Sequence, residues 1–309
     1  MEDSDCSVSL SNLICQEDGS TLLLGDGDEE EKSDMVTVYN DCCIFSETEE
    51  DDYIDMLFSK ESVRSDSRGS GVYDDSSEDW LKCARSDAVR WILKTKACFG
   101  FCSKTAYMAV TYLDRFLMHR RIDDKGKIWA VQLLSVACLS LAAKMEECKV
   151  PALSEFRYDF KSNLIQRMEF LVLNTLEWRL NSVTPFAYLS YFASRLQEHK
   201  WSNLMARAIG FIFAATGVMN LVDHRPSVIA AAATLAAFDE RLTQNLAEFK
   251  KRTISLRGSL ETEHVFSCYC LMIQESHKEK LKPSKNLIAT TSFTARSSKR
   301  RRSESPHAE

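Results

Sequence analysis

The sequence of 309 residues is poor in helix breakers, with five prolines and ten glycines. No run of eighteen or more apolar residues passes without interruption, so no transmembrane helix is expected. The start, Met1-Glu2-Asp3-Ser4-Asp5, is acidic and has no apolar core segment, which excludes a signal peptide and argues against a transit peptide. Eleven cysteines, an odd number without a C-x-x-C, do not make a disulfide framework and suit a reducing compartment. Gly-rich phosphate loops, H-E-x-x-H and G-x-S-x-G are all missing. Cys98 and Cys102, and Cys268 and Cys270, do not supply four ligands at a zinc-site spacing and read as packing cysteines rather than zinc ligands. The adjacent acids Asp123-Asp124 and Glu146-Glu147 read as solvated charge. The expectation is a protein with no catalytic constellation, metal or cofactor of its own.

Charge is distributed unevenly. Residues 1–83 carry 24 Asp and Glu against 5 Lys and Arg, residues 84–277 carry 18 against 25, and residues 278–309 carry 3 against 9. An acidic, Ser-rich block repels itself and has little apolar area to offset chain entropy, so 1–50 and 63–79 are expected to be disordered, the latter as a linker. Between them, 51–62 (DDYIDMLFSKES) opens with acids and then spaces Tyr53, Ile54, Leu57 and Phe58 on one side of a helix. That short helix should dock on the folded region.

From Trp80 the pattern is helical throughout, and the fold class is all-α. The clearest helices are Arg85–Ala97, Lys104–Met118, Ile128–Cys148, Leu164–Leu176, Pro185–Leu196, Trp201–Asn220, Pro226–Phe238 and Glu261–Glu279. Pro151, Pro185 and Pro226 sit where helices should begin. Trp129–Ala143 and Ser227–Phe238 are apolar nearly all round and rich in Ala and Ser. Such helices must be enclosed by others, and their small side chains allow close approach. Two tandem bundles, each around one central helix and joined near Asn181–Thr184, account for this; one large irregular bundle is the alternative. The expected division is 80–181, 182–280 and a basic tail over 281–309.

Ala84–Phe156 resembles the cyclin box, in the form found in plant D-type cyclins. The residues that carry the likeness are Arg85-Ser86-Asp87-Ala88-Val89-Arg90-Trp91-Ile92, Thr105-Ala106-Tyr107, Tyr112-Leu113-Asp114-Arg115-Phe116-Leu117, and Gln132 through Glu147. Val150-Pro151, Arg167-Met168-Glu169, Leu173–Leu180 and Ser182-Val183-Thr184-Pro185-Phe186 continue it. A weaker match runs to about residue 277. The resemblance implies two tandem five-helix cyclin folds. It further implies a regulatory subunit that clamps and activates a cyclin-dependent kinase, with Lys144 and Glu169 bonding backbone groups around the kinase's mobile helix; apart from the resemblance, the two read as a salt bridge or as solvated surface charges. Met145, Leu173, Trp178 and Leu180 match apolar contact positions around that clamp, although each also suits a structural core. Arg85 and Asp114 match a buried pair joining the first two helices of the box. Trp91 and Gln132 match part of a patch that docks substrate motifs containing Arg and Leu. Ala84, Asp87 and Ala88 stand there in place of larger apolar residues, which makes the patch shallower and more polar.

Two terminal motifs complete the reading. Leu13, Cys15 and Glu17 form Leu-x-Cys-x-Glu, which in plant D-type cyclins binds a retinoblastoma-related protein and so ties the kinase to passage from G1 into S phase. Lys299, Arg300, Arg301 and Arg302 form a basic cluster without aromatic residues, read as a nuclear import signal; nucleus with cytoplasm is the expected location. Ser305, before Pro306, is a candidate phosphosite beside it. Kinase inhibitor proteins would be further partners, with no membrane and no direct nucleic-acid contact. The competing class is a cyclin-fold transcription-related binding protein, against which the acidic head without C-x-x-C argues.

Overall fold

The computed structural model describes residues 47–62, 75–120, 122, 128–156, 160–196, 201–242 and 245–281. The first bundle contains α2 (Asp75–Phe99), α3 (Ser103–His119), α4 (Ile128–Glu146) and α5 (Ser162–Thr175). The second contains α6 (Phe186–Arg195), α7 (Trp201–Thr216), α8 (Pro226–Phe238), α9 (Leu246–Leu256) and α10 (Thr262–Leu281), and α1 (Glu47–Ser62) precedes both. The fold among the described residues is all-α.

Each bundle is organised by its most apolar helix. α4 packs against α2, α3 and α5, and Leu133 through Ala143 are buried without a break. By length and composition α4 could cross a membrane; the enclosing helices supply the apolar surroundings that its sequence calls for. α8 packs against α6, α7, α9 and α10, with Ser227 through Ala237 all buried. Pro226 begins α8, where its missing N–H is not needed. Pro151, by contrast, lies in the turn-rich connection between α4 and α5 and starts no helix.

Helix starts depart from the sequence expectation in three places. Residues 47–50 and 75–79, expected from composition to be disordered, are the first turns of α1 and α2. Both stretches are rich in acids, which complement the positive end of the helix dipole. α9 lies outside the helices expected from the sequence: it buries only Phe249, Thr253 and Leu256, a narrow stripe, and begins at Asn245, whose side chain accepts from the Glu248 N–H. The packing expectation holds for Cys268, which is buried, while Cys270 is half-buried and Cys98 is exposed. Cys102 caps α3 by accepting from the Thr105 N–H.

α1 docks on the second bundle. Ile54 and Leu57 are buried and the Phe58 ring meets Tyr188 edge-on at 5.3 Å. Burial of that Ile and Leu is worth roughly 3–6 kcal/mol before entropy. Asp51 accepts hydrogen bonds from the Tyr191 hydroxyl and from Arg195, both at 2.9 Å, and Asp55 pairs with Arg257. At the far end, Glu61 accepts from the Ser227 N–H (2.9 Å) and the Ser227 hydroxyl (2.7 Å), so that a carboxylate from α1 caps the central helix α8. Burial raises the Glu61 pKa, against the opposing effect of those hydrogen bonds.

Candidate functional site

Lys144 lies in the last turn of α4, where a cation suits the negative end of the dipole. Glu169 lies on α5, which packs on α4. The Lys144 ammonium donates to both Glu169 oxygens, at 2.7 and 2.8 Å. The pair is asymmetric: the Lys144 side chain is 42% exposed and the Glu169 side chain 8%. The residues singled out from sequence as a two-point clamp therefore meet each other across two helices. An ammonium carries three N–H donors, so Lys144 retains capacity for a carbonyl from outside.

Apolar side chains stand exposed on the same elements. Met145 follows Lys144 at the end of α4, and Phe170 follows Glu169 with 60% of its surface in solvent. Beyond α5, the Trp178 N–H bonds the Leu173 carbonyl at 2.9 Å in a tight turn that holds the Trp178 side chain 63% exposed. Glu177 and Trp178 in this turn have φ of 53° and 60°, the left-handed region, where neither residue is at ease. Arg115 on α3 braces the turn by donating to the Arg179 carbonyl at 2.6 Å. The fold thus holds a large aromatic outward on a strained backbone, the kind of expense that accompanies function. Leu173 and Leu180 are buried beneath this surface, so their place is the core that supports it. Phe170 was missed in the sequence; only its adjacency to Glu169 could have pointed to it.

Arg85 and Asp114 join α2 to α3 through two hydrogen bonds of 2.6 and 2.8 Å. Arg85 reaches further, donating to the carbonyls of Thr216, Gly217 and Met219, while the Leu221 N–H donates to Asp114 at 2.9 Å. All four are backbone groups of the segment that leaves α7, so the pair ties the first bundle to the second. Burial raises the Asp114 pKa, and Arg85 is the main influence pulling it back. Nearby contacts reinforce the junction: Tyr107 meets Phe186 edge-on at 5.6 Å and Lys96 lies over the Phe213 ring.

The remaining sequence candidates are dispersed. Trp91 on α2 is half-buried and packed against the core, and Gln132 on α4 is partly buried. Ala84 and Ala88 are buried, whereas Asp87 is exposed and pairs with Arg90 at 2.6 Å. Glu147 is not merely solvated: its carboxylate accepts from the Cys102 N–H (2.8 Å) and the Thr105 hydroxyl (2.5 Å), securing the start of α3. Glu146 pairs with Lys104 at 2.9 Å. Leu13, Cys15, Glu17, Lys299, Arg300, Arg301, Arg302 and Ser305 lie outside the described residues.

Comparison with known proteins accords with this architecture. The N-terminal domain model of cyclins matches residues 52–181, and the C-terminal domain model of cyclins matches residues 183–305. Cyclin-D5-1 of Oryza sativa subsp. japonica is 46% identical over 205 residues, covering 64% of this chain and 56% of the relative. Cyclin-D5-2 of the same plant is 43% identical, covering 69% and 65%. Cyclin-D5-1 of Arabidopsis thaliana is 36% identical over 289 residues, covering 89% of this chain and 86% of the relative. The chain thus spans less than two thirds of the two rice relatives and most of the Arabidopsis one. The X-ray structure of a viral cyclin from herpesvirus saimiri superimposes with a TM-score of 0.54 at 19% identity, over 64% of this chain and 86% of that one, a likeness of fold.

Proposed function

Because the chain belongs to the cyclin family, among the plant D-type cyclins, we propose that it is a regulatory subunit that binds and activates a cyclin-dependent kinase. The Lys144–Glu169 pair, set among exposed apolar side chains, is the observation that carries this reading. A partner that covers the pair buries two charges that already neutralise each other, which avoids most of the penalty of burying either alone. The third ammonium N–H is directed to a carbonyl of the kinase, and the spare lone pairs of Glu169 to an N–H. Met145, Phe170 and Trp178 supply apolar anchors of the type that dominates interface energy.

Activation on this reading is conformational. The cyclin surface binds the active arrangement of the kinase's mobile helix more tightly than the inactive one and shifts the population by that difference. The kinase supplies the residues that position and transfer the phosphoryl group. We further propose that Leu13, Cys15 and Glu17 recruit a retinoblastoma-related protein as substrate, favouring passage from G1 into S phase. In the same proposal Lys299 through Arg302 direct import to the nucleus. Co-expression with a plant cyclin-dependent kinase, followed by a kinase assay on a retinoblastoma-related fragment and on a histone substrate, tests the reading. The wild type should co-purify with the kinase and activate it on both substrates, while Cys15→Ala/Glu17→Ala should lose activity on the retinoblastoma-related fragment alone. Equal activity of that variant on both substrates would remove the recruitment role.

A further inference from the structure

The second bundle presents a helix face that carries none of the residues of the proposed kinase surface. α9 turns Leu246, Lys250, Lys251 and Ile254 outward; Leu246 is 49% exposed and Ile254 62%. The two apolar residues lie about 12 Å apart along the helix, with both ammonium groups between them. Among the described residues Lys250 and Lys251 have no ion-pair partner, whereas the cations beside them are engaged: Arg252 with Glu248 and Arg257 with Asp55. The face therefore reads apolar, basic, apolar along its length. It calls for an occupant that reads apolar, acidic, apolar.

The chain itself contains one. Leu22-Leu23-Leu24 precede Asp26, Asp28, Glu29, Glu30, Glu31 and Asp34, and Met35, Val36 and Val38 follow. We propose that the segment from Leu22 to Val38, which lies outside the described residues, docks in cis on the outward face of α9. Its carboxylates meet Lys250 and Lys251, and its apolar flanks cover Leu246 and Ile254.

The tether permits this. Asp55 of α1 is paired with Arg257 at the end of α9. From that contact, Glu47 lies about 12 Å back along α1 and Lys250 about 10 Å back along α9. Glu47 and Lys250 are thus separated by about 30 Å at most, once the reach of the ion pair is included. The twelve residues between Asp34 and Glu47 span about 40 Å when extended. A tether of only twelve residues also holds the segment at an effective concentration in the millimolar range, so individually weak contacts suffice. An acidic peptide of another protein would have to displace it. Docked in this way, the segment keeps Leu13–Glu17, which ends nine residues before Asp26, within about 30 Å of the second bundle.

Trypsin provides the assay, because Lys32 is the one basic residue among residues 1–46. Cleavage after Lys32 in the full chain is compared between wild type and Lys250→Glu/Lys251→Glu. At about 0.1 M salt the wild type should be cleaved at least about five-fold more slowly than the variant, and at about 1 M, where the Debye length shrinks from about 10 to 3 Å, the two should converge. Equal rates at low salt overturn the proposal. Carbodiimide cross-linking of the wild type, mixed in light and heavy isotope forms, is independent of whether the variant folds. Links from Lys250 or Lys251 to residues 26–34 within one isotope form support docking in cis. Links between forms show a second copy on this face, and links scattered evenly over surface lysines show no site; either result overturns it.

Discussion

Replacing Arg85 by Ala should be among the most damaging single changes in this chain, and the structure gives the size of the effect. The change removes five hydrogen bonds: two to Asp114 and one each to the carbonyls of Thr216, Gly217 and Met219. Among the described residues, Asp114, whose side chain is 1% exposed, keeps only the Leu221 N–H. Breaking a buried pair by removing one partner costs about 3–5 kcal/mol. That is a large share of the roughly 5–15 kcal/mol that stabilises an ordinary domain. At about 2–4 °C per kcal/mol for a unit of this size, melting should fall by roughly 6–20 °C.

The loss should also acquire a pH dependence of definite sign. Burial already raises the Asp114 pKa, and Arg85 is the main group holding it down. Without Arg85 it rises further. A carboxyl with a raised folded-state pKa contributes stability at low pH that is lost as pH climbs through that pKa. The Arg85→Ala chain should therefore be less impaired near pH 5 than near pH 8, relative to wild type. Adding Asp114→Asn removes the unpaired charge and should restore at least about 1 kcal/mol of the loss at pH 8. Urea denaturation followed by far-ultraviolet circular dichroism reads all three chains. A deficit under about 1 kcal/mol for Arg85→Ala, or strict additivity of the two changes, would refute the reasoning.

Three further outcomes follow from the geometry. Glu61→Gln keeps an acceptor for the Ser227 N–H but removes a carboxylate whose pKa burial raises; wild type should lose stability relative to this variant as pH rises from about 5 to 8, and a flat difference in denaturation midpoint would contradict it. Trp178→Gly relieves a left-handed aromatic residue, worth about 1–2 kcal/mol, against about 0.5–1 kcal/mol of extra chain entropy. Stability should hold or rise while kinase capture weakens at least about ten-fold, to be measured by thermal melting and by titration of the kinase. Glu147→Ala strips two acceptor contacts from the start of α3 and should cost about 1–2 kcal/mol in chemical denaturation.

The central helices were legible because their composition has one physical solution: Trp129–Ala143 and Ser227–Phe238 have no polar face, so neighbours must enclose them. The same reasoning failed for α9, where Phe249, Thr253 and Leu256 make a stripe too narrow to stand out among lysines, arginine and serine. α2 begins at Asp75 because acids that look like linker also stabilise a helix start. At the site, motif position singled out Lys144 and Glu169, with a salt bridge or two solvated charges as the competing reading; the structure forms the bridge, from residues 25 apart on different helices. Arg85 is the sharper case. Its partner Asp114 is a side chain with a sequence signature, whereas its other acceptors are backbone carbonyls more than 130 residues away that any sequence would offer. The left-handed turn at Glu177 and Trp178 carries no glycine to announce it.

The most direct test is titration of a purified plant cyclin-dependent kinase with this chain and with its Lys144→Ala/Glu169→Ala variant, following binding by calorimetry and activation by phosphate transfer. The account predicts that wild type binds and activates, and that the double variant, folded by circular dichroism, binds at least about 100-fold more weakly, close to 3 kcal/mol. A folded wild type that activates no kinase, or a variant that binds as tightly as wild type, would contradict it.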